Sequence, residues 1–185
     1  ILGFDINAIL FPLSIFIAAL VFYLVLNSEG YTKQTFLGIL VFVTGLSVFL
    51  FALSGHFYDF SFDGQWYHQD AIILLKNGWN PFYDLPILDE IASGKNANYI
   101  NCYPKAPWTI SACLYATTGA IEYAKFYQLV LLAASFFFSI HYTLRWFPLS
   151  VVSASLLSFV IAFSPVVVGQ SLSFYVDGQL AVFTL

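Results

Sequence analysis

Charged residues are missing from four long stretches of this chain, and that absence constrains its fold more than any other feature. No Asp, Glu, Lys or Arg lies between Asp5 and Glu29, Lys33 and Asp59, Lys125 and Arg145, or Arg145 and Asp177, gaps of 23, 25, 19 and 31 residues. A helix crossing the hydrocarbon of a bilayer needs roughly 20 apolar residues at about 1.5 Å rise each. The spacing therefore predicts spans at 6–26, 36–54, 123–143 and 150–169. Composition agrees: the chain is 60% hydrophobic and 9% charged, against about 25% charged in soluble domains. A water-soluble fold of 185 residues could not hide that much apolar surface. Backbone groups in lipid must bond internally, and no alternating barrel pattern is present, so the spans must be helices. The expected fold class is all-α, a polytopic transmembrane helical bundle with a long outer loop carrying amphipathic juxtamembrane helices. Pro12, Pro148 and Pro165 fall in or near the spans, and Pro165 should kink or end the fourth.

Three regions follow: 1–55 with two N-terminal spans, 56–120 as the outer loop, and 121–185 with two spans and a second outer turn. Residues 180–185 read as the start of a fifth span and the chain has no Met, so a fragment of a longer polypeptide is expected. The first span lacks a basic flank and a small-residue cleavage site and is not read as a signal peptide. Nine of the 16 charged residues lie between His56 and Pro107. The short loops carrying Lys33 and Arg145 share one side, which the positive-inside rule makes cytoplasmic. The long loop and the turn at 175–179 then face outward, as in a bacterial inner-membrane protein. Trp66, Trp79 and Trp108 suit the headgroup level. A net charge of −4 and the lack of a basic patch argue against nucleic acid. Cys102 and Cys113 match no zinc spacing and form no disulfide framework.

Within the loop, Ala71, Leu74, Leu75 and Gly78 follow helical spacing, and Asn77-Gly78 and Asn80-Pro81 end the helix. Asp63, Tyr67, Asp70 and Leu74 share one side of it. Asp63 also suits a helix N-cap. Asp70 and Lys76 read as solvated, and His68 as a surface or interface histidine. Residues 84–101 are polar and suggest a short helix and an irregular loop. The apolar run 109–116 is too short to span and reads as a surface or re-entrant helix, broken at Thr117-Thr118-Gly119. Lys105 stands between Pro104 and Pro107, where it also suits a headgroup anchor.

The order of these features resembles the GT-C class of membrane glycosyltransferases. The likeness is greatest to lipid A aminoarabinose transferases and protein O-mannosyltransferases, whose first outer loop begins Asp-Glu-x-x-Tyr and later carries Lys-Pro-Pro. Here Asp63 and Tyr67 match the first motif, and Lys105 with Pro107 the second, within residues 62–127. Gly64 replaces the second acidic residue, Ala106 replaces the first Pro, and two spans precede the loop where the family typically has one.

The resemblance implies sugar transfer from a polyprenyl-phosphate donor at the outer membrane face, with inversion. Asp63 would be the catalytic base, Lys105 the phosphate contact, and Tyr67 and Asp177 substrate-binding residues. A carboxylate base contributes about 10²–10⁴-fold, and a lysine steadies the departing phosphate electrostatically. A divalent metal is optional in this scheme, because Gly64 removes the paired acid. The expected partners are membrane lipid and the lipid-linked sugar. The alternative reading is a non-catalytic membrane subunit whose aromatic loop docks another protein.

Overall fold

A computed structural model describes residues 5–84 and 97–177, and every regular element among them is helical. Three helices are long and apolar enough to cross a membrane. The first, α1, is Leu10–Ser28; the second, α2, is Lys33–His56. The third runs Ile121–Trp146, a 3-10 turn (Ile121–Lys125) continuing into an α-helix. These match the expected spans at 6–26, 36–54 and 123–143 to within a few residues. Their outward faces stay apolar: Phe16 and Val41 are each 65% exposed. Such faces suit lipid and not water.

The fourth expected span, 150–169, is not one helix. The chain forms Val151–Ala162, turns at Phe163 and Ser164, and resumes as Pro165–Gln170. Pro165 has no N–H to extend the first helix, and Ser164 instead caps the second by accepting from the Val167 N–H at 3.4 Å. Twelve residues cover only about 18 Å, so neither piece crosses a bilayer alone. The longer piece packs on the third span through Ala154, Ser158 and Ala162, all buried and spaced four apart. Small residues at that spacing let helix backbones approach closely.

We number the loop helices onward as α3 (Gln69–Lys76), α4 (Ala97–Cys102) and α5 (Ala106–Thr118), the third span's α-helix as α6 (Phe126–Trp146) and the two broken pieces as α7 and α8. The core lies here, at the loop end of the bundle. It joins Tyr67, Ala71, Ile72 and Leu75 to Ile100, Trp108, Ala112 and Leu114, with Phe174 and Val176 from the far end of the chain. Helix α5 stops where predicted: Gly119 takes φ 73°, a left-handed cap that a Cβ would strain. Its packing is not that of a helix lying on a surface. It is wedged between α3, the 3-10 turn and α1, and its Ser111 donates to the Ala124 carbonyl at 3.1 Å. Of the 84–101 segment only 84 and 97–101 are described, with α4 at its end. Residues 180–185, the expected start of a fifth span, lie outside the described residues.

Two buried charges pin this end together. Lys125 is fully buried and donates to the Phe57 carbonyl, at the end of α2, and to Glu122. Asp59, 2% exposed, accepts from the Ser61 N–H (2.8 Å), the Ser61 hydroxyl (2.5 Å) and the Phe174 N–H (2.8 Å). The loop opening and the 171–177 segment are therefore one packed unit.

Candidate functional site

The helix carrying Asp63 is not uniformly α. Residues Gly64–His68 form a π-helical turn in which the Gln69 N–H reaches the Gly64 carbonyl, five residues back. Such bulges recur at functional sites because the widened turn re-aims side chains. Here Tyr67 and His68 are both buried, their ring centres 4.2 Å apart. Gly64 explains its own identity. A Cβ there would collide with the Asp59 carboxylate and the Ser61 hydroxyl, so the second acidic residue of the Asp-Glu pair has no room in this chain.

Asp63 is half-buried and makes no side-chain cap bond; the N-cap reading is thus corrected. Helical winding already includes Phe62, and the Gln65 N–H bonds to Ser61. Asp63 meets Tyr175 instead. Burial raises the Tyr175 hydroxyl's pKa, and hydrogen bonding and charge at Asp63 act on the same group. Tyr67 is raised further: burial leads, then a hydrogen bond with Tyr103, then the charges of Tyr103, Asp63 and Asp177. Tyr67 thus lies within the electrostatic reach of both Asp63 and Asp177, which are 114 positions apart in the chain.

Lys105 is reached through rings. Tyr67 lies 5.4 Å from Tyr103, Tyr103 stacks on Trp108 at 6.0 Å, and the Lys105 ammonium lies 5.5 Å over Trp108. That ammonium donates to the carbonyls of Asn101 (2.8 Å) and Tyr103 (2.5 Å). Burial lowers its pKa, and nearby Cys102 opposes the change. Among the described residues the one ion pair is Lys125–Glu122, so Lys105 meets neither Asp63 nor Asp177 directly. Nor does any group of three or more His, Cys, Asp or Glu there have metal-holding geometry. Cys102 and Cys113 are free thiols.

Four sequence expectations need correction. Trp108 is buried in protein and does not lie at a headgroup surface, because its indole N–H donates to His68 Nδ1 at 2.8 Å. His68 is 1% exposed and not a surface residue. Asp70 is half-buried, with one carboxylate oxygen lacking a partner. Lys76 is half-buried over the Tyr115 ring at 4.9 Å. The residue that sequence reasoning missed outright is Asp59. Its one local signal is Asp-x-Ser, the spacing of a turn in which the side chain accepts from the N–H two residues on.

His68 gives a pH prediction. Burial lowers its imidazole from 6.5 to about 4. Between those values the unfolded chain binds a proton that the folded chain does not. The stability held by neutral His68 is therefore complete above pH 6.5 and is lost as pH falls toward about 4. At about 1.4 kcal/mol per pH unit the loss approaches roughly 3 kcal/mol. Protonation would also set Nδ1–H against the indole N–H of Trp108. Detergent-solubilised wild type should lose thermal stability more steeply than His68→Gln below about pH 6. Parallel pH curves for the two proteins would contradict the assignment.

A cleft of about 350 Å³ between α6 and α7 is lined by Phe138, Tyr142, Thr143 and Ile161. It lies roughly 18 Å along α6 from Phe126, apart from the aromatic cluster. Compared with known proteins, the chain matches no family model, no curated sequence and no solved structure.

Proposed function

We propose that this chain carries the outer-loop site of a GT-C-like glycosyltransferase, moving a sugar from a polyprenyl-phosphate donor to an acceptor hydroxyl. The observation that carries the reading is that Tyr67, within electrostatic reach of Asp63 and Asp177, packs with His68, Tyr99 and Tyr103 at the loop end of three membrane-length helices. Aromatic faces stack on the apolar faces of sugar rings, and carboxylates accept from their hydroxyls.

In this reaction Asp63 takes the proton of the acceptor hydroxyl as its oxygen attacks the anomeric carbon. The bond from that carbon to the phosphate oxygen breaks, and the phosphate leaves on the prenyl chain. Asp177 is exposed, and it orients sugar or acceptor hydroxyls beside Tyr67. Lys105 uses two of its three N–H groups on carbonyls and keeps one for a phosphate oxygen. The lipid-facing surfaces of the spans hold the prenyl chain.

One carboxylate acting as base, with no paired nucleophile, implies direct displacement and inversion. The test is reconstitution of the full-length protein in liposomes with polyprenyl-phosphate sugars of known anomeric configuration. The product should carry the opposite configuration by NMR. Retention would remove Asp63 from the role of base, and binding without transfer would favour a docking subunit.

A further inference from the structure

The strongest unused feature is the imidazole of His68. Its Nδ1 accepts a hydrogen bond from the indole N–H of Trp108 at 2.8 Å. Indole can only donate, so Nδ1 must carry a lone pair, and the proton of the neutral ring is fixed on Nε2. That Nε2–H is buried and has no hydrogen-bond partner among the described residues. A buried donor left unmatched costs about 1–3 kcal/mol, so the fold retains it against a thermodynamic penalty. The two ring nitrogens direct their bonds to opposite flanks, so Nε2–H points away from Trp108. Around the ring stand Tyr67 at 4.2 Å and Tyr175 at 5.6 Å, the two tyrosines that sense Asp63. The other rings near His68 among the described residues are Trp108, at 5.6 Å, and Tyr103, at 5.8 Å. Among the described residues no carboxylate or ammonium is paired with the imidazole.

We propose that His68 is a substrate-positioning residue, a donor of fixed tautomer whose Nε2–H binds an oxygen of the lipid-linked sugar beside Asp63. This rests on the reading above and adds a residue to it. The ligand chemistry is an uncharged or anionic acceptor oxygen, either a sugar hydroxyl or a phosphate oxygen. A cation is excluded at this point, because a fixed N–H donor repels it. The neutral imidazole is not the base, since its free nitrogen is occupied by Trp108. Its task is to fix where the donor substrate lies relative to Asp63, and the π-helical turn sets the two residues five positions apart in one cluster.

The experiment uses the full-length protein in nanodiscs with ¹⁵N-labelled histidine. The probes are farnesyl phosphate alone and farnesyl phosphate carrying each of a panel of hexoses and pentoses. His68, identified by its loss in His68→Gln, should give the Nε2–H form, and its Nε2–H resonance should move when a probe binds. Movement with both probe types assigns the acceptor to phosphate; movement only with a sugar-bearing probe assigns it to a hydroxyl. In parallel, His68→Phe should weaken binding about tenfold, the worth of one hydrogen bond, while His68→Gln stays within about threefold because its amide still donates. His68→Gln keeps both an acceptor for Trp108 and a donor, so a purely structural role would also spare it, and the movement of the Nε2–H resonance on probe binding is what separates positioning from structure. Binding that leaves the His68 resonance still means that a buried water alone serves the donor. That outcome overturns this proposal and leaves the transferase reading standing. If no probe binds wild type, both fall.

Discussion

Asp63→Asn is expected to cut sugar transfer by at least about 100-fold while leaving the thermal midpoint and donor affinity near wild type. The substitution keeps shape and removes basicity. Folding should tolerate it, because the Asp63 side chain caps no helix and joins no ion pair. Its neighbour Tyr175 loses a charged partner but keeps a polar one, a change of about 1 kcal/mol or less. Catalysis has no such latitude, since an amide cannot accept the hydroxyl proton. Asp177→Asn, at an exposed carboxylate, should act mainly on the KM of donor or acceptor and spare kcat. The pair therefore separates base from binding residue. Transfer by Asp63→Asn at the wild-type rate would end the case for Asp63 as base, and equal kcat losses in the two variants would end the division of roles.

How much of this was legible in the sequence depends on the range of the interaction concerned. The three spans followed from charge-free gaps, a local property fixed by bilayer thickness. The end of α5 at Gly119 and the break before Pro165 were likewise local, each set by one residue's backbone chemistry. The interior of the loop was not local. His68 looked like a surface residue because its partner Trp108 is 40 positions away. Lys125 reads as an ordinary opening charge until Phe57, 68 positions earlier, supplies the carbonyl it binds. Amphipathic spacing assigned Asp63 and Tyr67 to one helical side, and they do share an environment. The same spacing assumed a regular helix, and the π-helical turn is what buries His68 next to Tyr67. Asp177 was grouped with Asp63 by side of the membrane, whereas the contacts that unite their segments run through Asp59 and Phe174 and through Asp63 and Tyr175.

The contact through Asp59 carries the second large effect. Asp59→Asn is expected to destabilise the loop end of the bundle by about 2–4 kcal/mol, because hydrogen bonds to a charged acceptor are weakened and a buried donor is left unmatched. Asp59 faces three donors: one oxygen takes the N–H and hydroxyl of Ser61, and the other takes the Phe174 N–H. An asparagine can satisfy only one side. Its oxygen would keep Ser61 and turn an NH₂ against the Phe174 N–H, or the reverse, leaving buried donors opposed at about 1–3 kcal/mol each. Gly64 packs against this carboxylate so closely that even a Cβ there would collide with it. The link that fails joins positions 115 residues apart, so the 171–177 segment should detach and carry Tyr175 and Asp177 from the site. Asp59→Asn should then lower both the thermal midpoint and transfer, where Asp63→Asn lowers transfer alone. Ser61→Ala, which removes one donor and leaves the Phe174 bond, should cost about 1 kcal/mol. The measurements are thermal unfolding in detergent and protease sensitivity of the 171–177 segment. A midpoint within a degree of wild type, with that segment still protected, would mean Asp59 does not hold the two halves of the site together.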